Sequence, residues 1–354
     1  MKNKTIKIFT LTHKKFNIPT DTTYVPLQVG AATHDKLGYL TDDTGDNISD
    51  LNCYYSELTG LYWVWKNVRD VDYVGICHYR RFLLNDDEYV FTKDEMVSLL
   101  DKEKNPDAYD ILTSKSLDLN FSYHYGFGEN HTIEEIDAAG EVIKELYPDF
   151  YPLYDKRVNE NHTYFGNIMI CSKQLLDEYC EFLFPIFEVL HTRINLEDHD
   201  DYHKRLYGFI SEFLLFVWCE YKKLKVKECK VGIIGEKKET REAKEKLYEY
   251  ISNGKISEAK TYFLDLKKKR PDILMEASDI TGELHLCIQL ISICEFELAS
   301  YGKILAPVTL SFADLMKWVY NLNTSVIRNL EFSDNYSDEA IYVARQIYNS
   351  KREN

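Results

Sequence analysis

A run of four polar residues, His78-Tyr79-Arg80-Arg81, follows directly on the apolar stretch from Asp72 to Cys77. The apolar stretch predicts a buried strand, and two arginines at its end are costly unless they are solvated or paired. Guanidinium groups bind phosphate bidentately. In an open α/β sheet, ligands bind beyond the carboxyl ends of the strands. We therefore expect a site for a negatively charged small molecule here; a structural salt bridge is the alternative.

A helix is expected before this strand, from an N-cap at Ser49 onward, with Asp50 in its first turn. Its polar face carries Asn52, Ser56 and Thr59, with Glu57 beside them. These are short hydrogen-bonding groups rather than long charged side chains, which favours contact with a ligand or a loop. The alternative is a helix packed on a second layer. Apolar residues recur at helical spacing at Leu51, Tyr54, Tyr55, Leu58, Leu61, Tyr62 and Trp65.

The first predicted strand runs from Thr5 to Leu11, and Thr12 and His13 follow at its C-terminal end. A nucleotide would lie at this edge, although His13 is equally well explained as an exposed loop histidine. A second extended segment, residues 24–29, ends at Gly30. The stretch that follows is rich in Gly, Asp and Thr and is typical of a loop.

Two further segments carry residues with acid–base chemistry. Residues 121–131 (FSYHYGFGENH) predict a mobile aromatic loop in which His124 or Glu129 contacts a sugar acceptor. Glu212 lies in the otherwise apolar helix predicted over residues 206–220. A lone carboxylate in such a helix needs a partner or a chemical role. We expect a catalytic or ligand-orienting carboxylate there.

Composition limits the class of protein. The chain has 354 residues, 45% of them hydrophobic, and a net charge of -15, which argues against nucleic acid as the main partner. The eight cysteines form no CxxC pair and several lie in apolar runs, so we expect reduced thiols and a cytoplasmic protein. No apolar run approaches the roughly 20 residues of a membrane span.

The composition of the sequence changes near Gly235. We predict an α/β domain over residues 1–235 and an all-helical domain over residues 236–354, which would serve contacts, homo-oligomerisation or docking. The basic run Lys267–Arg270 allows contact with anionic lipid, so a peripheral position at the inner face of the membrane is an open possibility.

Two stretches together carry a resemblance: residues 46–83, with ELTGLYWVWKN and HYRRFL, and residues 163–220, with TYFGNIMIC and YGFISEFLLFVW. They resemble the bacterial family known as domain of unknown function 4422 (DUF4422), over roughly residues 5–233. The family occurs in capsular, O-antigen and exopolysaccharide clusters and is taken to contain glycosyltransferases. The resemblance implies a GT-A-like fold, a Rossmann-like mixed sheet flanked by helices that binds a nucleotide sugar.

The resemblance also implies a reaction. A sugar, galactosyl, galactofuranosyl or glucosyl, would move from a nucleotide-diphosphate donor, with UDP favoured, to a growing surface polysaccharide or a lipid-linked glycan. The rival from another class is a non-catalytic nucleotide- or carbohydrate-binding scaffold in a polysaccharide assembly complex. A nucleotide-sugar hydrolase or phosphotransferase is a further alternative. The sequence does not decide between an inverting and a retaining reaction.

On this interpretation, Thr12, His13 and the segment near Gly30 hold the base. His78, Arg80 and Arg81 stabilise the leaving diphosphate, and Glu212 is the favoured base, with Glu129 and His124 as rivals. The residues expected to orient ribose, phosphate or sugar hydroxyls are Asp46, Asn47, Ser49, Asn52 and Glu57.

GT-A-like enzymes commonly end a strand in Asp-x-Asp, which binds Mn or Mg, whereas the corresponding strand here ends in the His78–Arg81 run. Cationic side chains can neutralise a leaving diphosphate as a metal ion does, so we expect no cofactor. Asp42, Asp43 and Asp46 leave an Mn or Mg site open. His199 and His203 have metal-ligand spacing, but an acidic loop explains them better.

Overall fold

The computed structural model describes residues 4–274, 278–332 and 335–353. The chain divides into two compact units, the first ending at Ile234 and the second beginning at Gly235. The first unit has the predicted mixed α/β architecture, a sheet flanked by helices.

The main sheet of the first unit has the order β3-β2-β1-β4-β5-β10-β6-β9, and β9 also pairs with β4. Strands β3, β2, β1 and β4 are parallel, β9 is antiparallel to both of its neighbours, and β10 runs parallel to β6. β7 and β8 form a separate ribbon. The strands are β1 Ile6–Thr12, β2 Tyr24–Gln28, β3 Leu40–Thr41, β4 Tyr73–His78, β5 Arg81–Leu84, β6 Ile111–Ser114, β7 Leu117–Asp118, β8 His162–Thr163, β9 Met169–Ser172 and β10 Val226–Ile233.

Helices cover both faces of this sheet, which is why the parallel strands β1 and β4 are almost wholly buried. Phe9, Val74 and Ile76 pack into the larger core with α2, α7 and α8, and Ile8 and Phe82 into a smaller core with α3. The helices are α1 Asn52–Tyr55, α2 Leu58–Asn67, α3 Lys93–Leu100, α4 Tyr123–Asn130, α5 Ile133–Leu146, α6 Tyr151–Val158, α7 Lys173–His191 and α8 Leu206–Tyr221.

The second unit is helical throughout its described residues and has a core of its own. α11 is long and apolar enough to span a membrane, but 44% of its apolar window is buried inside the protein. A core helix of a soluble protein meets the same criterion. The helices are α9 Lys238–Ser252, α10 Ile256–Lys269, α11 Glu283–Tyr301, α12 Phe312–Arg328 and α13 Asp338–Glu353.

Three sequence predictions of secondary structure are corrected. The helix expected from Ser49 is broken between α1 and α2, where Ser56 has a φ of 50° and a ψ of -125°. Residues 121–131 are mostly the helix α4 rather than a loop, because the Ser122 side chain accepts a hydrogen bond from the Tyr125 N–H and caps it. The apolar residues over 164–171 (YFGNIMIC) predict a buried strand, but the strand starts only at Met169, since Gly166 and Asn167 both have positive φ.

Ser49 is not an N-cap because its hydroxyl donates to Asp42, at 2.5 Å. The Asp42 carboxylate is fully buried and also accepts bonds from the Gly30 N–H, the Ala31 N–H and the Thr59 hydroxyl. Both of its oxygens are therefore engaged by donors. This network joins the end of β2 to α2, so the polar face of the α1–α2 segment packs on a second layer.

Replacing Asp42 by alanine is expected to lower the free energy of unfolding by about 3–5 kcal/mol, because four buried donors lose a charged acceptor. Urea unfolding measures the loss. The matched control is Asp50→Ala at an exposed position nearby, which should change stability by no more than about 0.5 kcal/mol. Equal effects of the two substitutions would contradict the assignment of Asp42 as the anchor of this region.

Candidate active site

A tight hairpin at the end of β4 brings His78 and Arg81 together. The two residues form the antiparallel pair between β4 and β5, so only Tyr79 and Arg80 make the turn. Residues directly opposite in such a pair place their side chains on one face of the sheet. Nη1 of Arg81 lies 3.7 Å from the position that a Cβ on Gly166 would take. Arg80 instead donates from Nε to the Ile234 carbonyl, at 3.2 Å.

Glu57 enters the same space from the break between α1 and α2. Ser56, in a backbone conformation that L-residues rarely adopt, interrupts the helix and turns the chain. The Ser56 carbonyl accepts from Asn52 Nδ2 at 2.6 Å, and its hydroxyl accepts from Arg205 Nε at 2.9 Å. The Glu57 side chain is only 13% exposed, and Nη2 of Arg205 lies 4.0 Å from its Oε2.

The turn before β9 donates hydrogen bonds to the carboxylates of Glu57 and Glu212. The Gly166 N–H donates to Glu212 Oε1 at 2.7 Å, and Nδ2 of Asn167 donates to Glu57 Oε1, also at 2.7 Å. Nδ2 of Asn167 also donates to the Gly208 carbonyl at 2.9 Å. Five segments of the chain therefore meet in one cluster, which we call the Glu57–Glu212 cluster: Glu57, His78, Arg81, Gly166–Asn167, and Arg205 with Glu212.

His78 is neutral at neutral pH, because burial lowers its pKa and Arg81 adds to this, while Glu57 opposes it. Its Nε2 atom is buried without a hydrogen-bond partner among the described residues. Burial works against ionisation of Glu57 too, but the charge of protonated His78, the charge of Arg205 and the hydrogen bond from the Asn167 amide outweigh it, so the pKa of Glu57 is lowered. Of this pair, Glu57 carries the charge and His78 keeps a free polar atom.

Glu212 differs from Glu57 although both are carboxylates. Burial and the negative charge of Glu57 raise the pKa of Glu212 to about 8, against the opposing effects of Arg81, the Gly166 N–H and Arg205. Two neighbouring carboxyl groups with divergent pKa values are the usual sign of distinct acid–base roles. The cluster therefore combines one ionised carboxylate, one carboxyl group that titrates near neutral pH, two guanidinium groups and one neutral imidazole.

A family model matches residues 7–223, more than half of the chain, and its description is Domain of unknown function (DUF4422). The chain belongs to the DUF4422 family. The matched range includes every residue of the Glu57–Glu212 cluster. Comparison with curated proteins gives no significant match.

A solved structure is also similar to this DUF4422 chain. It is described as the apo structure of WbbM, a bifunctional glycosyltransferase, and has a TM-score of 0.57 and 30% sequence identity. The similarity covers 66% of this chain and 46% of the WbbM chain, so it spans less than half of that protein. The fold is thus shared with part of a glycosyltransferase.

The structure places the predicted donor-binding residues of this DUF4422 chain at four separate locations. Glu57 lies in the cluster. Gly30, Ser49 and Asn52 instead belong to the Asp42 network, where Asn52 Nδ2 also donates to Thr59 at 3.0 Å. For these three residues the structure gives a packing role, which explains their types without a ligand.

Asp46 and Asn47 lie in a turn that packs against the end of α2. The Asp46 N–H donates to Asn67 at 3.1 Å, its carboxylate accepts from the Tyr62 hydroxyl at 3.1 Å, and Asn47 bonds the Gly45 carbonyl. No hydrogen bond in the described part of the chain joins these two residues to the cluster. Their predicted role in orienting the donor has no support in these contacts.

Thr12 and His13 end β1 beside the cluster, because Leu11 pairs with His78 across the sheet. The Thr12 hydroxyl donates to the Lys14 carbonyl at 2.5 Å, which closes the turn after the strand. The exposed His13 ring meets the Tyr79 ring edge to face, with centroids 5.3 Å apart. Phe16 also packs edge-on against Tyr79, at 6.1 Å.

His124 and Glu129, the predicted acceptor-binding residues, lie on α4. His124 pairs with Asp137 of α5 at 2.8 Å, and Glu129 is exposed. α4 reaches the cluster through a different residue, Tyr123, whose buried hydroxyl feels the charge of Glu212. Acceptor contact by His124 or Glu129 stays a prediction that these contacts do not test.

Sequence reasoning missed Arg205 and Asn167. Arg205 precedes α8, where a cation is unfavourable beside the helix dipole, and this local conflict was a usable signal for a nearby carboxylate. Gly166-Asn167 is a turn dipeptide inside a segment that otherwise reads as a strand. Both signals were weaker than the apolar pattern around them.

The cluster does not fit a divalent cation. The bound carboxylate oxygens accept from protein N–H groups, and two guanidinium groups share the space. At the alternative ion site near Asp46, Asp42 is engaged by four donors and Oδ2 of Asp43 pairs with Lys36. Within the described ranges, no group of three His, Cys, Asp or Glu side chains is arranged to hold a metal ion. This includes His199, which pairs with Glu135, and His203, which pairs with Asp200.

Glu212 makes stability depend on pH. Because its folded-state pKa of about 8 lies above the ordinary value of 4.5, its contribution to stability is full below about pH 4.5 and is lost as pH rises through 8. Glu212→Gln keeps the acceptor for the Gly166 N–H but cannot ionise. The variant should therefore gain stability relative to wild type as pH rises from 5 to 9, by about 1.4 kcal/mol for each pH unit of the pKa shift that is realised.

Urea unfolding of both proteins across this pH range is the measurement. A stability difference that does not change with pH would show that Glu212 has an ordinary pKa.

Proposed function

We propose that this protein is a glycosyltransferase with a GT-A-like fold that transfers a sugar from a nucleotide-diphosphate donor to a glycan acceptor. The observation that carries the proposal is the Glu57–Glu212 cluster at the carboxyl edge of β1 and β4. Membership of the DUF4422 family and the similarity to part of a glycosyltransferase support it. The strand order, with a single antiparallel strand between β4 and β6, is in keeping with a GT-A-like sheet.

The nucleotide would bind at the end of β1. Thr12 ends this strand and His13 follows it, and the ring of Tyr79 contacts the rings of both His13 and Phe16. Aromatic faces stack on bases of any sequence, so this group suits the base of UDP, which we favour. Asp46 and Asn47 are not needed for this arrangement.

The diphosphate would lie against His78 and Arg81. Arg81 supplies a permanent positive charge and a planar fork of donors for phosphate oxygens. The unpartnered Nε2 of His78 supplies a polar atom that a phosphate or sugar oxygen can satisfy. Arg205, whose side chain is 43% exposed, adds a second guanidinium at the rim. These groups take the place that a metal ion holds in many glycosyltransferases.

Glu212 would act as the base of an inverting transfer. The oxygen of an acceptor hydroxyl bonds to the anomeric carbon of the donor, and the bond from that carbon to the diphosphate breaks. The electron pair leaves on the diphosphate, which Arg81 neutralises, and the proton of the hydroxyl passes to Glu212. A base with a pKa near the working pH combines sufficient basicity with sufficient ionised fraction.

Arg81→Ala is expected to weaken nucleotide binding at the cluster. A thermal-shift screen of UDP, GDP, CDP and dTDP in EDTA should show one diphosphate that stabilises the wild type, by about 2.7 kcal/mol at 100 times its dissociation constant. Arg81→Ala should weaken this binding about 100-fold and lower sugar transfer at least as much, since one well-placed donor is worth 10²–10³ in rate.

Arg193→Ala, which removes a partly exposed arginine paired with Glu145, is the control and should bind and turn over like wild type. Nucleotide binding that survives Arg81→Ala would overturn the proposed site. Binding without transfer from any donor to any acceptor would favour the non-catalytic scaffold, and sugar released only to water would favour a hydrolase.

A further inference from the structure

One turn of the chain holds both carboxylates of the cluster. The backbone N–H of Gly166 bonds Glu212, and the side-chain amide of the next residue, Asn167, bonds Glu57, each at 2.7 Å. Any movement of this turn therefore acts on both carboxylates. Because Gly166 bonds one carboxylate and Asn167 bonds the other, the turn supports both.

Asn167 is itself held on three sides. Its Nδ2 also donates to the Gly208 carbonyl, and its Oδ1 accepts from the Ser211 hydroxyl, both at 2.9 Å. Gly208 lies in the first turn of α8, and the Cβ of an alanine there would lie 3.4 Å from Glu57 Oε1. The bonds of Asn167 thus fix Glu57 against the beginning of the helix that carries Glu212.

The backbone of this turn is in an unfavourable region. Gly166 has a φ of 101° and Asn167 a φ of 46°. Glycine adopts such values freely and asparagine tolerates them, but other residues pay for them. A non-glycine residue with positive φ, as Asn167 is here, persists where the surroundings hold it in place, and such residues cluster at functional sites.

We propose that Asn167 is a positioning residue for the base Glu212: through its hydrogen bond to Glu57 it holds the Glu57 carboxylate in the cluster with Glu212. The inference rests on the proposed function, in which Glu212 accepts a proton from the acceptor hydroxyl. Two carboxylates in one partly buried space do not ionise together readily, so a charge fixed on Glu57 favours the proton on Glu212. Glu57 thus acts through Glu212 and does not itself need to touch the reacting atoms.

The groups that face Glu212 come from every element around it. Arg81 and Arg205 favour its ionised form, as does the Gly166 N–H, whereas Glu57 opposes it. Tyr123 of α4 also feels its charge, and His78 is neutral. Of these groups, Glu57 is the one whose negative charge strengthens Glu212 as a base, and Asn167 is its hydrogen-bonded support.

The test follows the titration of Glu212 directly, by the ¹³C chemical shift of its carboxyl group in glutamate-labelled protein, assigned by the loss of the signal in Glu212→Gln. The variants are Asn167→Gly, which keeps the backbone conformation but removes the amide, and Glu57→Gln, which removes the charge. The control is Asn159→Ala at an exposed position, where the side chain donates to the Asp155 carbonyl.

We expect a midpoint near pH 8 in wild type and in the control, and a midpoint at least one pH unit lower in Asn167→Gly and in Glu57→Gln. The rising limb of kcat/KM with pH should move in the same direction. Unchanged midpoints in both variants, with cooperative unfolding retained, would overturn the inference. The titration needs no donor, so a wild type that titrates as expected but transfers no sugar would refute the proposed function alone.

Discussion

The structure depends on a constraint of charge: two carboxyl groups and two guanidinium groups share one partly buried space with a neutral imidazole. Desolvation penalises every charge in that space, so each ionised group has to be offset by another. Glu57 ionises because Arg205 and Asn167 compensate it. Glu212, next to that charge, keeps its proton to a pH of about 8. Each protonation state is thus set by the neighbours and not by the residue type.

The fold supplies this space through a small number of backbone features. The two-residue hairpin after β4 sets His78 beside Arg81, and the interruption at Ser56 separates α1 from α2 and frees Glu57 from the helix. The Gly166–Asn167 turn shortens β9. Each feature interrupts a regular element at the edge of the sheet, where ligands bind in α/β proteins. The core beneath, with Phe9, Val74 and Ile76 buried, fixes the strands from which they arise.

The apolar patterns predicted most of the elements because burial on both sides of a sheet leaves long apolar runs. Glu212 and the His78–Arg81 run were predicted as site residues for the same reason, since polar residues are conspicuous against such runs. Ser49, Asn52 and Gly30 were expected to bind a ligand. One sequence does not reveal that Asp42 is buried and accepts hydrogen bonds from four donors. Polar residues that stabilise a buried carboxylate and polar residues that bind a substrate have the same types and spacing.

Asn167 and Arg205 are the opposite case, because they lie in the cluster but were not predicted from the sequence. Asn167 bonds Glu57 and Arg205 bonds Ser56, each more than 100 positions away in sequence. The local sequence pattern does not indicate such distant contacts. Arg80 and Arg81 are adjacent and chemically equal, yet only the pairing register of β4 and β5 directs Arg81 to the cluster. Register is a property of the assembled sheet, so the choice between them required the structure.

The most direct test of the account is a crystal structure of the protein with the nucleoside diphosphate that stabilises it most, grown in the presence of EDTA. The account predicts that the diphosphate oxygens lie within hydrogen-bonding distance, about 3 Å, of the Arg81 guanidinium and that the base lies beside His13 and Tyr79. A nucleotide bound elsewhere on the chain, or a diphosphate that makes no contact with Arg81, would contradict it.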